Sequence, residues 1–127
     1  MKNHLSQEER DFLEIYIDRY ATITEFLFMW HANEDEQFEV ELGLDSRDSI
    51  QDALEKAPEV FTEEQIRKID QTDRTIIKNA RDLPFWYYMH PDRNKQPKSR
   101  WWWHLDLVEG GEVVAEPVSQ VLKKSKS

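Results

Sequence analysis

Two short runs hold the residue types with the greatest chemical capacity. Tyr87-Tyr88-Met89-His90-Pro91-Asp92 is echoed fourteen residues later by Trp101-Trp102-Trp103-His104-Leu105-Asp106. Each ends in a His-x-Asp pair, and imidazole with carboxylate is a donor set that suits zinc, manganese or iron. Read that way, the chain would be a metal-dependent enzyme using His90 with Asp92 and His104 with Asp106. The spacing argues against it. Residues two apart on a helix point to different sides, so neither pair chelates readily, and no His-Glu-x-x-His or paired Glu-x-x-His motif occurs. A histidine that donates to backbone or carboxylate among aromatic neighbours is the simpler reading. Nucleophilic and phosphate chemistry find no support either. The chain has no cysteine, three glycines and no Gly-x-Ser-x-Gly, which removes thiol nucleophiles, the nucleophile elbow and phosphate-cradling loops. The sequence therefore reads as non-enzymatic, with no catalytic residue, no metal and no cofactor.

Binding chemistry is better represented. The stretch Leu83 to Val108 contains seven of the chain's fifteen aromatic residues and two of its four histidines. Tryptophan, tyrosine and arginine dominate binding hot spots. Trp86, Tyr87, His90, Arg93, Arg100, Trp101 and Trp102 are accordingly the candidate contact residues of an aromatic surface with a basic rim. No single helix or strand can turn Trp101, Trp102 and Trp103 toward one core, so at least one of the three, Trp102 by choice, is expected to face a partner. The main functional expectation is an accessory or adaptor protein that binds a protein partner or a second copy of itself.

The alternative rests on acidity. From His31 to Glu64 there are 12 acidic residues against Arg47 and Lys56 alone. Carboxylates at Glu34, Asp35, Glu36, Glu39, Glu41, Asp45 and Asp48 could imitate phosphates in a groove built for nucleic acid; the plainer reading is a solvated face. Residues Met1 to Glu64 carry 18 acidic and 5 basic side chains, a net of −13, whereas Gln65 to Ser127 carry 8 and 12, a net of +4. This balance disfavours direct nucleic-acid binding. Arg93, Lys95, Lys98 and Arg100 read best as a basic loop paired with the acidic half of the same fold.

His90-Pro91-Asp92-Arg93-Asn94 resembles the loop of the J-domain co-chaperones, in which His-Pro-Asp engages a heat-shock chaperone partner. Leu42-Gly43-Leu44 resembles a helix boundary of that family. The resemblance covers only these residues. Pro84 interrupts the basic helix that should lead into the tripeptide, the two landmarks stand farther apart than in the family, and Trp101-Trp102-Trp103 takes the place of charged residues. The competing reading of His-Pro-Asp is a turn in which Asp92 bonds nearby backbone.

The positioning elements read as helices. Ser6-Gln7-Glu8-Glu9 is a capping box, and Leu13, Tyr16, Tyr20, Ile23, Leu27 and Trp30 recur at spacings of three and four. This predicts a long amphipathic helix from Gln7 to about His31. Ala32 to Gln37 reads as an acidic connection. Phe38 to Leu44 alternates strictly, which predicts an extended or irregular segment, before a short helix capped by Asp45 or Ser46 and stopped by Pro58. Thr62-Glu63-Glu64-Gln65 is a second capping box, with Phe61 as its staple, opening a helix to Arg81. Lys98 to Glu109 reads as a helix closed by Gly110, or alternatively as a hairpin turning at Gly110-Gly111. The fold class is mainly α: a small single-domain helical bundle over residues 1–116 with a long N-terminal helix, at most one short strand or hairpin, and a tail from 117 to 127 mobile at its basic end. The first residues lack an apolar h-region and no stretch is long enough to span a bilayer. The sequence reads as cytoplasmic, without membrane contact.

Overall fold

The computed structural model describes residues 5–90 and 93–125. Six α-helices account for most of them: α1 (Gln7–Thr22), α2 (Glu34–Lys56), α3 (Glu63–Lys78), α4 (Phe85–Tyr88), α5 (Leu105–Glu109) and α6 (Val118–Ser125). Short 3-10 turns lie between them, including Ile23–Glu25, Ala80–Asp82 and Trp101–Trp103. The fold is mainly α, and among the described residues there is no strand. Helices α1, α2 and α3 pack together, and α6 lies along α3.

Both expected capping boxes form. Ser6 Oγ accepts from the Glu9 amide at 3.1 Å while Glu9 Oε1 accepts from the Ser6 amide at 3.1 Å. Thr62 and Gln65 repeat the exchange at the start of α3. Helix α1 does not reach His31, however. Thr22 and Thr24 sit in a run with Ile23, and their hydroxyls bond the Asp18 and Ala21 carbonyls. Such back-bonding, with β-branched crowding, weakens a helix interior, and the chain tightens into a 3-10 turn after Thr22.

The longest helix is the second, which corrects the extended reading of Phe38 to Leu44. Asn33 caps α2 in a third box with Glu36. The alternating pattern hid a helical one: Val40, Gly43, Leu44, Arg47, Ile50 and Leu54 are buried, at spacings of three and four, whereas Phe38 is exposed. Asp45 and Ser46 are interior positions of this helix rather than caps, and Ser46 Oγ bonds the Leu42 carbonyl one turn back.

The chain beyond residue 100 also departs from expectation. Lys98 to Glu109 is neither one helix nor the first arm of a hairpin. It is a 3-10 turn at Trp101–Trp103 followed by the short α5, which packs on the Ala80–Asp82 turn. Gly110 is the C-cap, and Gly111, with φ 82°, takes the left-handed position. The amides of Glu112 and Val113 then return to the Leu107 carbonyl. The expected tail is a packed helix instead. Pro117 and Val118 are buried, and Ser119 bonds Asp70 of α3 through both its amide and its hydroxyl. Lys123 and Lys124 of the basic end belong to α6; Lys126 and Ser127 lie outside the described residues. Among the described residues, no helix is long and apolar enough to cross a membrane.

Gly43 sets how closely α1 and α2 approach. A Cβ there would collide with Ile23 Cγ2 and lie 3.2 Å from the Arg19 carbonyl. Gly43→Ala should lower stability by about 1–3 kcal/mol as the helices separate. Ile23→Val in the same background, which removes only the terminal Cδ1 methyl, should recover little. Ile23→Ala, which removes the colliding methyl, should cost less in the Gly43→Ala background than in the parent. Denaturant midpoints of these variants would check this, and an unchanged Gly43→Ala protein would contradict it.

Candidate functional site

The Trp101–Trp103 turn is enclosed on every side. All three side chains are at most 3% exposed, so the expectation that one would face a partner is corrected. The geometric premise holds, because the three rings do point in different directions. What fills those directions is protein. Trp101 Nε1 donates to the Glu116 carbonyl at 3.2 Å, on the segment leading into α6. Trp102 Nε1 and Trp103 Nε1 both donate to Asp48 Oδ1 of α2 at 2.9 Å. From the other side, Tyr87 Oη donates to the Trp102 carbonyl at 2.8 Å and accepts from the Leu105 amide at 3.1 Å. The rings meet in separate edge-on pairs, Trp101 with Trp102 and His90 with Trp103, rather than in a continuous aromatic cluster.

The candidate basic rim is spent inside the fold. Arg93 is buried, with Nε on the Trp103 carbonyl at 3.0 Å, Nη1 on the Tyr88 carbonyl at 3.3 Å and Nη2 on Asp106. Its guanidinium also lies 5.1 Å from the Tyr87 ring centre. Arg100 reaches Asp48 at 3.2 Å and Asp52 at 2.6 Å. Burial alone would lower the Arg100 pKa, but the Asp52 and Asp48 carboxylates outweigh it and raise the value. Trp86 is buried as well and donates Nε1 to the Met29 carbonyl at 2.8 Å. His90 is half-buried, with Nε2 3.2 Å from Glu41 Oε1. The seven candidate contact residues thus lie together, but as packing and clamp residues between α2, α4 and the 101–103 turn.

Three members of the two His-x-Asp pairs stand against neighbours within the chain, and the fourth, Asp92, lies outside the described residues. His104 Nε2 sits 2.8 Å from the Gln96 carbonyl, Asp106 pairs with Arg93, and His90 pairs with Glu41. Among the described residues, no group of three or more histidine, aspartate or glutamate side chains could hold a metal. Pro91 and Asp92 lie outside the described residues, and with them the His-Pro-Asp reading. Gly43 has its role in helix packing rather than at a helix boundary.

The acidic sequence of α2 resolves into two parts. Glu41, Asp48 and Asp52 fall on one stripe, at helical spacings of seven and four, and hold His90, the two indoles and Arg100. This stripe serves as a rail for the chain's own aromatic and basic segment. Glu34, Asp35 and Glu39, at the start of the helix, are exposed.

Sequence reasoning missed the most deeply buried charges. Asp73 of α3 is fully buried. It accepts from Tyr20 Oη of α1 at 2.5 Å, from Arg47 Nε and Nη2 of α2 at 3.1 and 3.2 Å, and from the Val118 amide of α6 at 2.9 Å. Arg47 lies 4.2 Å from the Trp102 ring centre and gives Nη1 to Gln51. Burial disfavours the Arg47 charge, yet attraction to Asp73 prevails and raises its pKa. Burial, reinforced by Asp73, raises the Tyr20 phenol well above its ordinary value. The signal was available: Tyr20, Arg47 and Asp73 all sit at apolar-face positions of their helices, where a polar residue needs an internal partner. This constellation is closed to solvent. Asp70, one turn from Asp73, is only part-buried; burial would raise its carboxyl, but bonds from Ser119 and Arg74 hold it below its ordinary range.

Open grooves lie elsewhere. One of about 240 Å³ runs between α1 and α2 and is edged by the Glu9–Lys56 pair. Another, about 1190 Å³, lies between the start of α3 and α6 and is edged by Asp70 with Arg74. A third, about 440 Å³, lies along α3 beside Arg67 and Lys78. None of the seven candidate contact residues lines any of these. Comparison with known proteins adds no assignment: no family model, no curated protein and no solved structure matches the chain.

Two outcomes follow. Asp73→Ala strands a buried guanidinium and should cost about 3–5 kcal/mol, and truncation of any of the three tryptophans should cost a similar amount. A tolerated Trp102→Ala would show that the turn is not enclosed. The second outcome concerns alkali. Tyr20 and Tyr87 are both raised above a phenol's ordinary value of 10, Tyr87 chiefly by burial. The folded state therefore holds protons that the unfolded state releases above that pH. Their contribution is complete below pH 10 and is lost as pH rises toward the folded values. Denaturant midpoints measured up to about pH 11 should fall in the parent protein. Tyr20→Phe should be weaker at neutral pH and flatter above pH 10.

Proposed function

We propose that the protein is a non-enzymatic accessory or adaptor that binds a protein partner. The contact surface in this reading is not the Trp101–Trp103 turn. It is an exposed apolar end of the molecule built from Trp30, Phe38, Phe85 and Met89, and its exposure is the observation that carries the proposal. Phe85 is 64% and Met89 73% exposed, and Trp30 and Phe38 are each more than half exposed. Large apolar side chains gathered in this way mark interaction sites, and methionine beside aromatics is a composition suited to adaptable binding.

The internal use of charge supports a binding role over chemistry. His104, Asp106, Asp48, Arg93 and Arg100 all bond within the chain. Phosphate mimicry has less support, because Glu41, Asp48 and Asp52 are engaged by the fold itself.

Phe85→Ser combined with Met89→Ser changes no charge and removes two exposed side chains, so it should leave the denaturant midpoint within about 0.5 kcal/mol of the parent. The full chain should retain proteins from its native cell extract that the double variant loses. Identical capture by the two, with both folded, would overturn the proposal.

A further inference from the structure

Three local tethers bring the exposed apolar residues to one end. Trp86 Nε1 on the Met29 carbonyl fixes α4 against the 26–32 loop. His90 Nε2 lies 3.2 Å from Glu41 Oε1, which places the end of α4 beside α2, one turn from Phe38. The Asn33–Glu36 box fixes where α2 begins. Phe85 and Met89, four residues apart, lie on one side of α4, while Trp86 and Tyr87 turn inward.

Along the segment that carries Trp30 and Phe38 the charge has one sign. From Tyr20 to Ser46 the chain contains seven carboxylates and no lysine or arginine. Glu36 belongs to the cap and Glu41 stands beside His90; the other five are exposed, and three of them, Glu34, Asp35 and Glu39, lie within four residues of Phe38. On the α4 side, Arg81 is followed at once by Asp82, so that approach adds no net charge. An apolar face bordered by carboxylates complements a helix with apolar residues on one side and lysine or arginine beside them.

We propose that this face takes a cationic amphipathic helix of a partner protein, a specificity that rests on the docking role proposed above. The partner's apolar side chains lie against Phe85, Met89, Phe38 and Trp30. Its cations meet Glu34, Asp35 and Glu39. An anionic segment or an acidic membrane surface is repelled by the same border.

The test uses the full chain and two synthetic helical peptides of about 16 residues, one of leucine and lysine and one of leucine and glutamate. The leucine–lysine peptide should bind, and the leucine–glutamate peptide should not. Binding should weaken by about tenfold or more in Phe85→Ser/Met89→Ser and in Phe38→Ser/Met89→Ser, which alter different elements and leave the charge unchanged. It should weaken similarly in Glu34→Gln/Asp35→Gln/Glu39→Gln, yet stay the same in Glu63→Gln/Glu64→Gln at the start of α3. Unchanged binding by both serine double variants, with both glutamine variants weakened in step with the charge they lose, would mean attraction to net charge alone and would overturn the inference. So would equal binding of both peptides, or adsorption to neutral phosphatidylcholine vesicles in place of the peptide. If cell-extract capture depends on Phe85 and Met89 while the peptide does not bind, the docking role stands and the cationic helix falls. If neither depends on them, both fall.

Discussion

The buried carboxylate of Asp73 is the point on which the architecture depends. A charge without access to water is tolerable only when its lone pairs are filled, and each partner that fills them comes from a different part of the chain. Tyr20 brings α1, Arg47 brings α2 and the Val118 amide brings α6. Arg47 carries the connection onward by lying against Trp102. Apolar burial alone would accept many relative rotations of these helices. Directed bonds to two oxygen atoms accept few, so this ion pair fixes the register of the core.

A second layer of internal pairing governs what the surface can offer. The chain joins an acidic first half to a weakly basic second half, and the two neutralise each other where they meet. Asp48 takes both indole donors and Arg100, while Arg93 joins Tyr88, Trp103 and Asp106. A tryptophan needs its N–H satisfied when buried, and one aspartate on α2 does this for two of them. The most suggestive aromatic sequence is therefore interior. Surface character passes to side chains that looked ordinary in sequence, such as Met89 and Phe38.

Local sequence determined the helix starts and much of the composition of the core. Ser6 with Glu9, and Thr62 with Gln65, act within a single turn, so they are legible without knowledge of the rest. Asn33 with Glu36 belongs to the same class; the strict alternation of Phe38 to Leu44 obscured it. Of the expected stripe, Leu13, Tyr20, Ile23 and Leu27 are buried and Trp30 is exposed; the buried part was readable because amphipathic periodicity is a local property.

Tertiary structure decided the rest, for reasons of distance along the chain. Whether Trp102 is core or surface depends on Asp48, Arg47 and Tyr87, and the first two stand more than fifty residues away. Whether residues 117–125 are a tail or a helix depends on Asp70 and Asp73 of α3. Helix α1 stops at Thr22 by its own chemistry, yet Gly43 of another helix allows Ile23 to pack where it does. Sequence by itself established a mainly helical chain with internally opposed charge. Which aromatic residues are buried and which are offered was settled by long-range pairing, since burial belongs to the assembled neighbours and not to the residue.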